Sequence, residues 1–362
     1  MISVCIIVKN EQENIEKCLL ELQKTGFEIV VVDTGSTDHT KEVAQKYTDK
    51  VYDFEWCDDF AKAKNYAISK ATYDYVMIID SDEFVEQIDI SALKELIKTR
   101  PYDVGRIRRR NIFTRQGLVN ENQEWINRIF LKTKFHYEGS IHEQVTPLYG
   151  NSYQTYQAPV VIRHSGYDLT EGQRKKKSKR NITLLEKELT LLKRKEDHGS
   201  DRTSQIPYVL YQLGKSYYMA QEYEKAVEYF SEALSYDLNP HLEYVINMVQ
   251  TYGYALINSG QAKKALLFEN IYQEFGNTAD FQFLMGLIYM NNARFEDAIE
   301  QFKLATLQKE CSVVGVNSYS AYYNIGVIYE CLGMLDEAKK YYLLCGDYEP
   351  AMRQIKKIER RV

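Results

Sequence analysis

The chain has 362 residues, 44% hydrophobic and 27% charged, and this length favours two domains over one. Its formal net charge of -5 gives no reason to expect general nucleic-acid binding. No apolar run approaches the roughly 20 residues that a membrane-spanning helix needs. The six cysteines form neither a C-x-x-C pair nor a zinc spacing, and the N-terminus lacks the basic start of a signal peptide. We therefore expect a cytoplasmic protein with reduced cysteines.

The first 100 residues alternate short β-branched runs with segments of helical periodicity, which is the pattern of parallel βαβ units. Asn10 and Glu13 have the spacing of a capping box, so Asn10 is expected to cap the first helix, which stops at Gly26. Ser36 or Thr37 is expected to cap the second helix. The predicted strands cover residues 2–8, 28–32, 51–54 and 75–79, and two further helices cover about 59–70 and 90–100.

Residues 103–165 have a different pattern, with short alternating segments at 104–110, 124–131 and 160–163 and no long helix. This pattern predicts antiparallel strands and loops that close the same sheet. From about residue 168 the chain becomes helical, with a basic run at 174–180 that is expected to be a solvated helix face.

An internal repeat begins near residue 207 and is best seen from its glycines. Gly214 is followed by Tyr217, Ala226, Phe230 and Ala233, and Gly286 is followed by Tyr289, Ala298, Phe302 and Ala305 at the same offsets. Gly326 starts a third copy and Gly253 a weaker one. Small residues where two helices cross, with aromatic residues between them, resemble the tetratricopeptide repeat.

Polar residues follow the predicted strands at the end where ligands bind in such sheets. Asp33 follows the second strand, in a tight turn with Gly35, and Asp80, Ser81 and Asp82 follow the fourth. Side chains two residues apart in an extended stretch point the same way, so Asp80 and Asp82 can face one ligand. Because carboxylates suit Mg²⁺ or Mn²⁺, a nucleotide diphosphate bound with a divalent cation explains this pattern best.

Residues 31–38 and 79–83 resemble the two signature blocks of the family-2 glycosyltransferases of the GT-A fold. Residues 58–65 resemble the D-F-x-x-A-R-N block of the branch that includes lipopolysaccharide-core glucosyltransferases, with Lys64 in place of the usual arginine. Residues 135–143 and 163–167 match further blocks of that branch. Together with the repeats, the chain most resembles the peptide S-glycosyltransferases of the sublancin type.

This resemblance implies an α/β GT-A domain with a mostly parallel sheet over residues 1–167. A basic helical connector over 168–204 and an all-α tetratricopeptide superhelix over 205–362 would follow. Asp33 would hold uracil or a related base, flanked by Val8 and Asn10. The remaining residues expected at the nucleotide sugar are Gly35, Lys64, Asn65, Asp80 and Ser81.

The resemblance also implies a cation, Mn²⁺ or Mg²⁺, held by Asp80, Asp82 and His164. Members of the family invert the anomeric centre by direct displacement, which needs a base for the acceptor proton. Glu143, next to His142, is the predicted base. The alternative is that Glu143 orders a loop through His142 while Glu138 or Glu124 is the base.

The expected donor is a UDP-hexose or UDP-N-acetylhexosamine, and three functions remain open for its use. The repeats favour a peptide or protein acceptor. A cell-envelope glycan or lipid-linked saccharide is the alternative acceptor, and the third possibility is a non-catalytic repeat scaffold. The D-x-D motif and the Asp33 block argue against the scaffold. Hydrophobic strips on the end repeats predict a homodimer.

Overall fold

A computed structural model describes residues 1–115, 118–150, 152–164, 171–196 and 205–360. The chain divides into two compact units, Met1–Gly172 and Gln173–Val362. The domain boundaries expected at 167/168 and 204/205 adjoin segments outside the described residues. In the part of the chain that the structure describes, no helix is both long and apolar enough to cross a membrane.

An eight-stranded sheet and a separate two-stranded hairpin form the framework of the N-terminal unit. The strands are β1 (Ile2–Val8), β2 (Glu28–Asp33), β3 (Val51–Asp53), β4 (Tyr75–Ile78), β5 (Glu83–Ile88), β6 (Val104–Arg115), β7 (Leu118–Leu131), β8 (Phe135–Glu138), β9 (Gln144–Pro147) and β10 (Thr155–His164). The order in the large sheet is β3-β2-β1-β4-β7-β6-β10-β5, and β8 pairs with β9. The first four strands in this order are parallel, as predicted.

The second half of the sheet is mixed. Strand β7 is antiparallel to both β4 and β6, and β5 is antiparallel to β10. Strand β10 runs parallel to β6 and lies between β6 and β5. The strands predicted at 104–110, 124–131 and 160–163 are therefore present and extend the parallel half into one continuous sheet, but β10 is parallel to β6 and not antiparallel as expected.

Helices cover both faces of this sheet: α1 (Gln12–Gln23), α2 (Thr40–Gln45), α3 (Phe60–Lys70) and α4 (Ile90–Thr99). Side chains alternate along β1, so Val4 and Ile6 face a core with α1, α2 and α4, while Cys5 faces the opposite core. That second core contains α3 and the β8–β9 hairpin, including Phe135 and Tyr137. The sheet is thus buried on both faces, which is typical of α/β proteins.

The predicted helix caps are wrong for α1 and α2. Glu11, not Asn10, is the N-cap of α1, and its side chain makes no capping bond. Asn10 has a positive φ of 53° and its Oδ1 accepts a hydrogen bond from the Thr37 backbone N–H instead. His39 is the N-cap of α2. The side chain of Asn10 is used to connect two loops and cannot cap its own helix.

Three strands, β5, β8 and β9, were not predicted. Strand β5 directly follows Asp82; its apolar alternation is short, and only its first two residues, Glu83 and Phe84, are buried. All six cysteines are free thiols; Cys5, Cys18 and Cys345 are buried, whereas Cys57 and Cys331 are exposed.

The C-terminal unit is entirely helical. Its helices are α5 (Glu171–Glu196), which starts at the end of the first unit, α6 (Ile206–Met219), α7 (Tyr223–Ala233), α8 (Glu243–Asn258), α9 (Ala262–Ala265), α10 (Tyr272–Phe275), α11 (Ala279–Asn291), α12 (Phe295–Thr306), α13 (Tyr319–Cys331), α14 (Leu335–Leu343) and α15 (Glu349–Glu359). Successive pairs α6–α7, α11–α12 and α13–α14 are the repeats that the glycines predicted.

The glycines lie where two helices of one repeat cross closely. A Cβ atom on Gly214, Gly286 or Gly326 would come within 2.6 Å of the ring of Phe230, Phe302 or Tyr342, respectively. Real Cβ atoms do not approach so closely, so these crossings require glycine. The weaker copy at Gly253 differs because its second helix is broken into α9, a 3-10 segment (Leu266–Ile271) and α10.

Candidate functional site

The predicted site residues gather at one edge of the sheet, where β2 and β4 end and β5 begins; we call this the site edge. Strand β10 also ends there, since His164 is paired with Glu83 of β5 and with Asn111 of β6. The topology therefore brings His164 next to the Asp80–Asp82 segment, although the two are far apart in sequence.

Asp33 forms a compact turn at the end of β2. Its side chain is 4% exposed, and its Oδ1 accepts hydrogen bonds from the backbone N–H groups of Gly35 (2.8 Å) and Ser36 (2.7 Å). Gly35 has a φ of +98°, which only glycine adopts readily. The second carboxylate oxygen, Oδ2, is buried and has no hydrogen-bond partner among the described residues.

Val8 and Asn10 brace this turn from the end of β1. The Val8 carbonyl accepts hydrogen bonds from the backbone N–H (2.9 Å) and the hydroxyl (3.1 Å) of Thr34, and the Val8 side chain lies in the core. The Asn10 backbone N–H donates to the Ser36 hydroxyl. Both residues thus shape the turn that presents Asp33.

Asp80 is the centre of a charge cluster. Its Oδ1 lies 3.0 Å from Lys64 Nζ and its Oδ2 lies 2.7 Å from Arg128 Nη2, while its side chain remains 32% exposed. The fully buried Glu83 accepts from Arg128 (3.0 Å) and from the Asp80 backbone N–H (2.9 Å). Burial alone would raise the pKa of Asp80, but Arg128 and Lys64 hold it well below its usual range.

Lys64 joins Asp80 to Glu143. Its Nζ lies 2.6 Å from Glu143 Oε1 and 5.4 Å from the centre of the Tyr137 ring. Burial would lower the pKa of Lys64, but the carboxylates of Asp80 and Glu143 outweigh this and raise it. Lys64 is therefore a fully charged, enclosed ammonium group between two carboxylates.

Asn65, the neighbour of Lys64 on α3, has a different position from the expected one. Its side-chain amide donates to the Tyr137 carbonyl and accepts from the Tyr137 N–H, both at 2.9 Å. Both ends of the amide are thus engaged by β8, and Asn65 fixes Tyr137 against α3. Burial raises the pKa of Tyr137 to about 12.

The loop that carries His142 and Glu143 bends sharply. Gly139 has a φ of +98° and His142 a φ of 53°, and the Ser140 carbonyl accepts from the Phe60 N–H at the start of α3. This connection brings Glu143 to Lys64. Of the alternative bases, Glu138 is paired with His136 and Glu124 with Arg109.

Asp82 and His164 form a second cluster. Asn111 Nδ2 donates to Asn122 and Glu124, so its Oδ1 faces His164 Nδ1 at 2.8 Å and accepts the ring N–H. The other ring nitrogen, Nε2, faces Asp82 Oδ2 at 3.2 Å. Among the described residues, no group of three or more His, Cys, Asp or Glu side chains could hold a metal ion without further ligands.

Ser81 is buried at the site edge between these two clusters. The structure thus brings together Lys64, Asp80 and Glu143 in one group and Asp82 and His164 in another. Arg128, Glu83 and Tyr137 were not among the predicted site residues. Arg128 had a weak signal, because it directly precedes the apolar pair Ile129 and Phe130 on a strand, and a charged residue that is buried there needs a partner.

Comparison with known proteins assigns a different family model to each of the two units. Residues 3–150 match glycosyl transferase family 2, and residues 207–240, 279–309 and 319–357 match the tetratricopeptide repeat. A TPR repeat-containing protein of Synechococcus elongatus is 39% identical over 82 residues, which are 23% of this chain and 20% of that protein.

Two glycosyltransferases are similar over longer segments. The SPbeta prophage-derived glycosyltransferase SunS of Bacillus subtilis is 26% identical over 235 residues, 64% of this chain and 52% of SunS. The lipopolysaccharide core biosynthesis glycosyltransferase LpsC of Rhizobium meliloti is 31% identical over 155 residues, 40% of this chain and 57% of LpsC. The chain thus spans little more than half the length of either enzyme. Its N-terminal unit belongs to glycosyl transferase family 2, and its C-terminal unit is an array of tetratricopeptide repeats.

Proposed function

We propose that this protein is an inverting, metal-dependent glycosyltransferase. It transfers a hexose or N-acetylhexosamine from a UDP-sugar to a side chain of a peptide or protein. The observation that carries the proposal is the buried Asp33 oxygen without a partner, on the same edge of the sheet as Asp80, Asp82 and His164.

Asp33 is suited to bind the base of the nucleotide. A buried polar atom that makes no hydrogen bond costs about 1–3 kcal/mol, so a bound ligand that supplies a donor recovers this free energy. The N–H of uracil is such a donor. Asp33 Oδ1 is already fixed by Gly35 and Ser36, so the orientation of the carboxylate is set before the nucleotide binds.

Asp82 and His164 fit a divalent cation. The hydrogen bond from Nδ1 to Asn111 fixes the imidazole, and a metal-binding histidine usually makes such a bond through its second nitrogen. Nε2 and the Asp82 carboxylate oxygen both carry lone pairs, so they attract each other only when a proton or a cation lies between them. Mg²⁺ and Mn²⁺ use one or two protein ligands together with water and phosphate oxygens, so this pair is sufficient. Asp80 fits less well, because Lys64 and Arg128 already engage its two oxygens.

The remaining groups have defined tasks in the displacement. When bound, the cation neutralises the charge that develops on the leaving diphosphate. The oxygen or sulfur atom of the acceptor attacks the anomeric carbon, and the bond between that carbon and the diphosphate oxygen breaks. Glu143 takes the acceptor proton. Glu143 is 14% exposed and paired with Lys64, so it must exchange this partner for the acceptor.

The first two repeats offer a surface for a peptide. Tyr208 on α6 and Tyr244 on α8 are half-buried, with ring centres 5.3 Å apart. The buried Tyr211 supports Tyr244 with ring centres 5.8 Å apart, and its hydroxyl donates to Asn247. Aromatic faces beside an amide group can bind an extended peptide through both packing and hydrogen bonds. A glycan acceptor is the second candidate, favoured by the likeness to a lipopolysaccharide core enzyme.

Incubation of the protein with a panel of UDP-sugars, with MnCl₂ or with EDTA, tests the enzymatic proposal. We expect slow release of UDP from one donor with Mn²⁺ and none with EDTA. Asp82→Asn should abolish this release. The control is Asp49→Asn, which should not abolish it, because Asp49 is exposed and precedes β3, at the end of the sheet away from the site edge. If no UDP-sugar is used or hydrolysed, the protein is a scaffold and the proposal is rejected.

The acceptor is tested separately. The mass of a peptide or a saccharide after reaction shows which of them has gained a sugar. A gene for a small precursor peptide beside this one would favour the peptide, and neighbouring genes for envelope synthesis would favour the glycan.

A further inference from the structure

Tyr137 is a buried tyrosine at the site edge whose hydroxyl is not satisfied. The residue is 4% exposed, and its hydroxyl is shielded from solvent without a hydrogen-bond partner in the residues that the structure describes. Such a group costs about 1–3 kcal/mol, whereas phenylalanine would fill the same space without that cost. Packing therefore explains the ring of Tyr137 but not its hydroxyl.

A second tyrosine in the same core shows how a structural hydroxyl differs. Tyr153 packs on Phe135, accepts a hydrogen bond from Asn127 (3.0 Å) and donates one to the Val145 carbonyl (2.9 Å). Its hydroxyl fixes the β9 strand and is fully used. Tyr137 lies in the same hydrophobic cluster but lacks any comparable role.

The surroundings of Tyr137 indicate the kind of ligand. The ammonium group of Lys64 lies over its ring, and the charges of Arg128, Lys64, Glu143 and Asp80 all act on its phenol. The Lys64 ammonium group already binds a carboxylate oxygen of Glu143 at 2.6 Å, so an anionic oxygen of a ligand can replace Glu143 there, beside the Tyr137 ring. Asn65 holds the backbone of Tyr137 from both sides, so the ring is fixed in this position.

We propose that Tyr137 is a further residue of the nucleotide-sugar site, whose hydroxyl donates a hydrogen bond to an oxygen of the donor diphosphate. This inference rests on the function proposed above. Because solvent does not reach the hydroxyl, the ligand gains access only after Glu143 releases Lys64. The same exchange makes Glu143 available as the base, so binding of the donor and activation of the acceptor are coupled through Lys64.

The test uses the full chain and two matched variants, Tyr137→Phe and Tyr153→Phe. Thermal unfolding measures stability, and calorimetric titration with UDP in the presence of MnCl₂ measures binding. We expect Tyr137→Phe to unfold at the same or a higher temperature and to bind UDP roughly 10- to 100-fold more weakly, since a hydrogen bond to a charged group is lost. Tyr153→Phe should unfold at a lower temperature and bind normally.

Two results would overturn the role of Tyr137. One is that Tyr137→Phe binds UDP with Mn²⁺ as tightly as the unaltered protein does. The other is that Tyr137→Phe loses as much stability as Tyr153→Phe, because its hydroxyl would then have a structural partner. If the unaltered protein does not bind UDP at all, the proposed function itself fails, and the role of Tyr137 fails with it.

Discussion

Arg128 is a buried cation that joins the exposed part of the site to the core. Its guanidinium group contacts the partly exposed Asp80 and the fully buried Glu83. Each carboxylate has a second cation, because Arg109 lies 3.1 Å from Glu83 and Lys64 lies 3.0 Å from Asp80. Removal of Arg128 therefore weakens two ion pairs in a buried cluster, which is more costly than the loss of a surface pair. Arg128 thus determines both the orientation of Asp80 and the stability of the surrounding sheet.

We expect Arg128→Ala to lower the free energy of unfolding by about 1.5–3 kcal/mol, the range for a lost hydrogen bond to a charged group. Chemical denaturation with urea measures this change. Lys24→Ala, which breaks the exposed pair with Glu21, is the control and should change stability by less than about 0.5 kcal/mol. Equal effects of the two substitutions would mean that Arg109 and Lys64 compensate Glu83 and Asp80 fully without Arg128.

The site could be predicted only in part from the sequence. Asp33, Asp80 and Asp82 follow directly from their positions after strands. His164 was expected through a family resemblance, since nothing in its own neighbourhood shows that β10 lies beside β6. Arg128 was missed because its partners become visible only when β7 is placed next to β4.

At the scale of elements, the end of the sheet opposite the site is held by Glu28, at the start of β2. Its carboxylate accepts from the Ser3 hydroxyl of β1, from Lys50 before β3 and from the Thr72 backbone N–H before β4. Burial would raise the pKa of Glu28, but these hydrogen bonds, from Lys50 first, lower it to about 2. One side chain therefore links four parallel strands.

Because the pKa of Glu28 is lower in the folded state, its contribution is complete above the unfolded value of 4.5 and is lost as the pH falls towards 2. With allowance for solvent screening, this contribution is about 2 kcal/mol. We expect Glu28→Gln to be less stable at pH 7 and to lose less stability than the unaltered protein between pH 4.5 and 2. Urea denaturation at several pH values measures this.

The exposed Glu13→Gln is the control for Glu28→Gln and should keep the original pH dependence. UDP release should persist in both variants, because Glu28 is at the opposite end of β2 from Asp33. A pH dependence of Glu28→Gln that matches the unaltered protein would assign the acid sensitivity to other carboxylates.

A repeat glycine and a glycine outside the repeats should respond differently to substitution by alanine. Gly286→Ala brings a Cβ against the Phe302 ring and should cost about 1–3 kcal/mol. Gly172→Ala, near the start of α5, meets nothing within 4 Å and should be neutral or slightly stabilising. Thermal unfolding of both variants distinguishes a packing requirement from a general sensitivity to loss of glycine.

The fold was more predictable from the sequence than the site was, because periodicity is local. Strands β1 to β4 have strong periods and were predicted within one residue of their observed ends, and the glycine offsets located the repeats without giving bounds for their helices. Strands β8 and β9 have four residues each and are specified by their pairing and by contacts with α3, neither of which a local pattern records.

At the scale of the whole molecule, each unit has a hydrophobic core of its own. We therefore expect two unfolding transitions in differential scanning calorimetry, one affected by a ligand of the N-terminal unit and the other by a core substitution in the C-terminal unit. UDP with MnCl₂ should raise one transition by mass action, and Gly286→Ala should lower the other. A single transition that responds to both would mean that the units unfold together.

The late position of strand β10 in the chain affects the order in which the N-terminal unit can fold during synthesis. Strand β5 is at the edge of the sheet and is paired with β10, so its partner leaves the ribosome about 70 residues after it does. A nascent chain that stops before residue 155 already contains Asp33, Lys64 and Asp80 but has neither a neighbour for β5 nor an imidazole for Asp82. The Asp82–His164 pair, which we propose as the cation site, therefore forms only after β10 has been made, and a chain that ends before residue 155 lacks it.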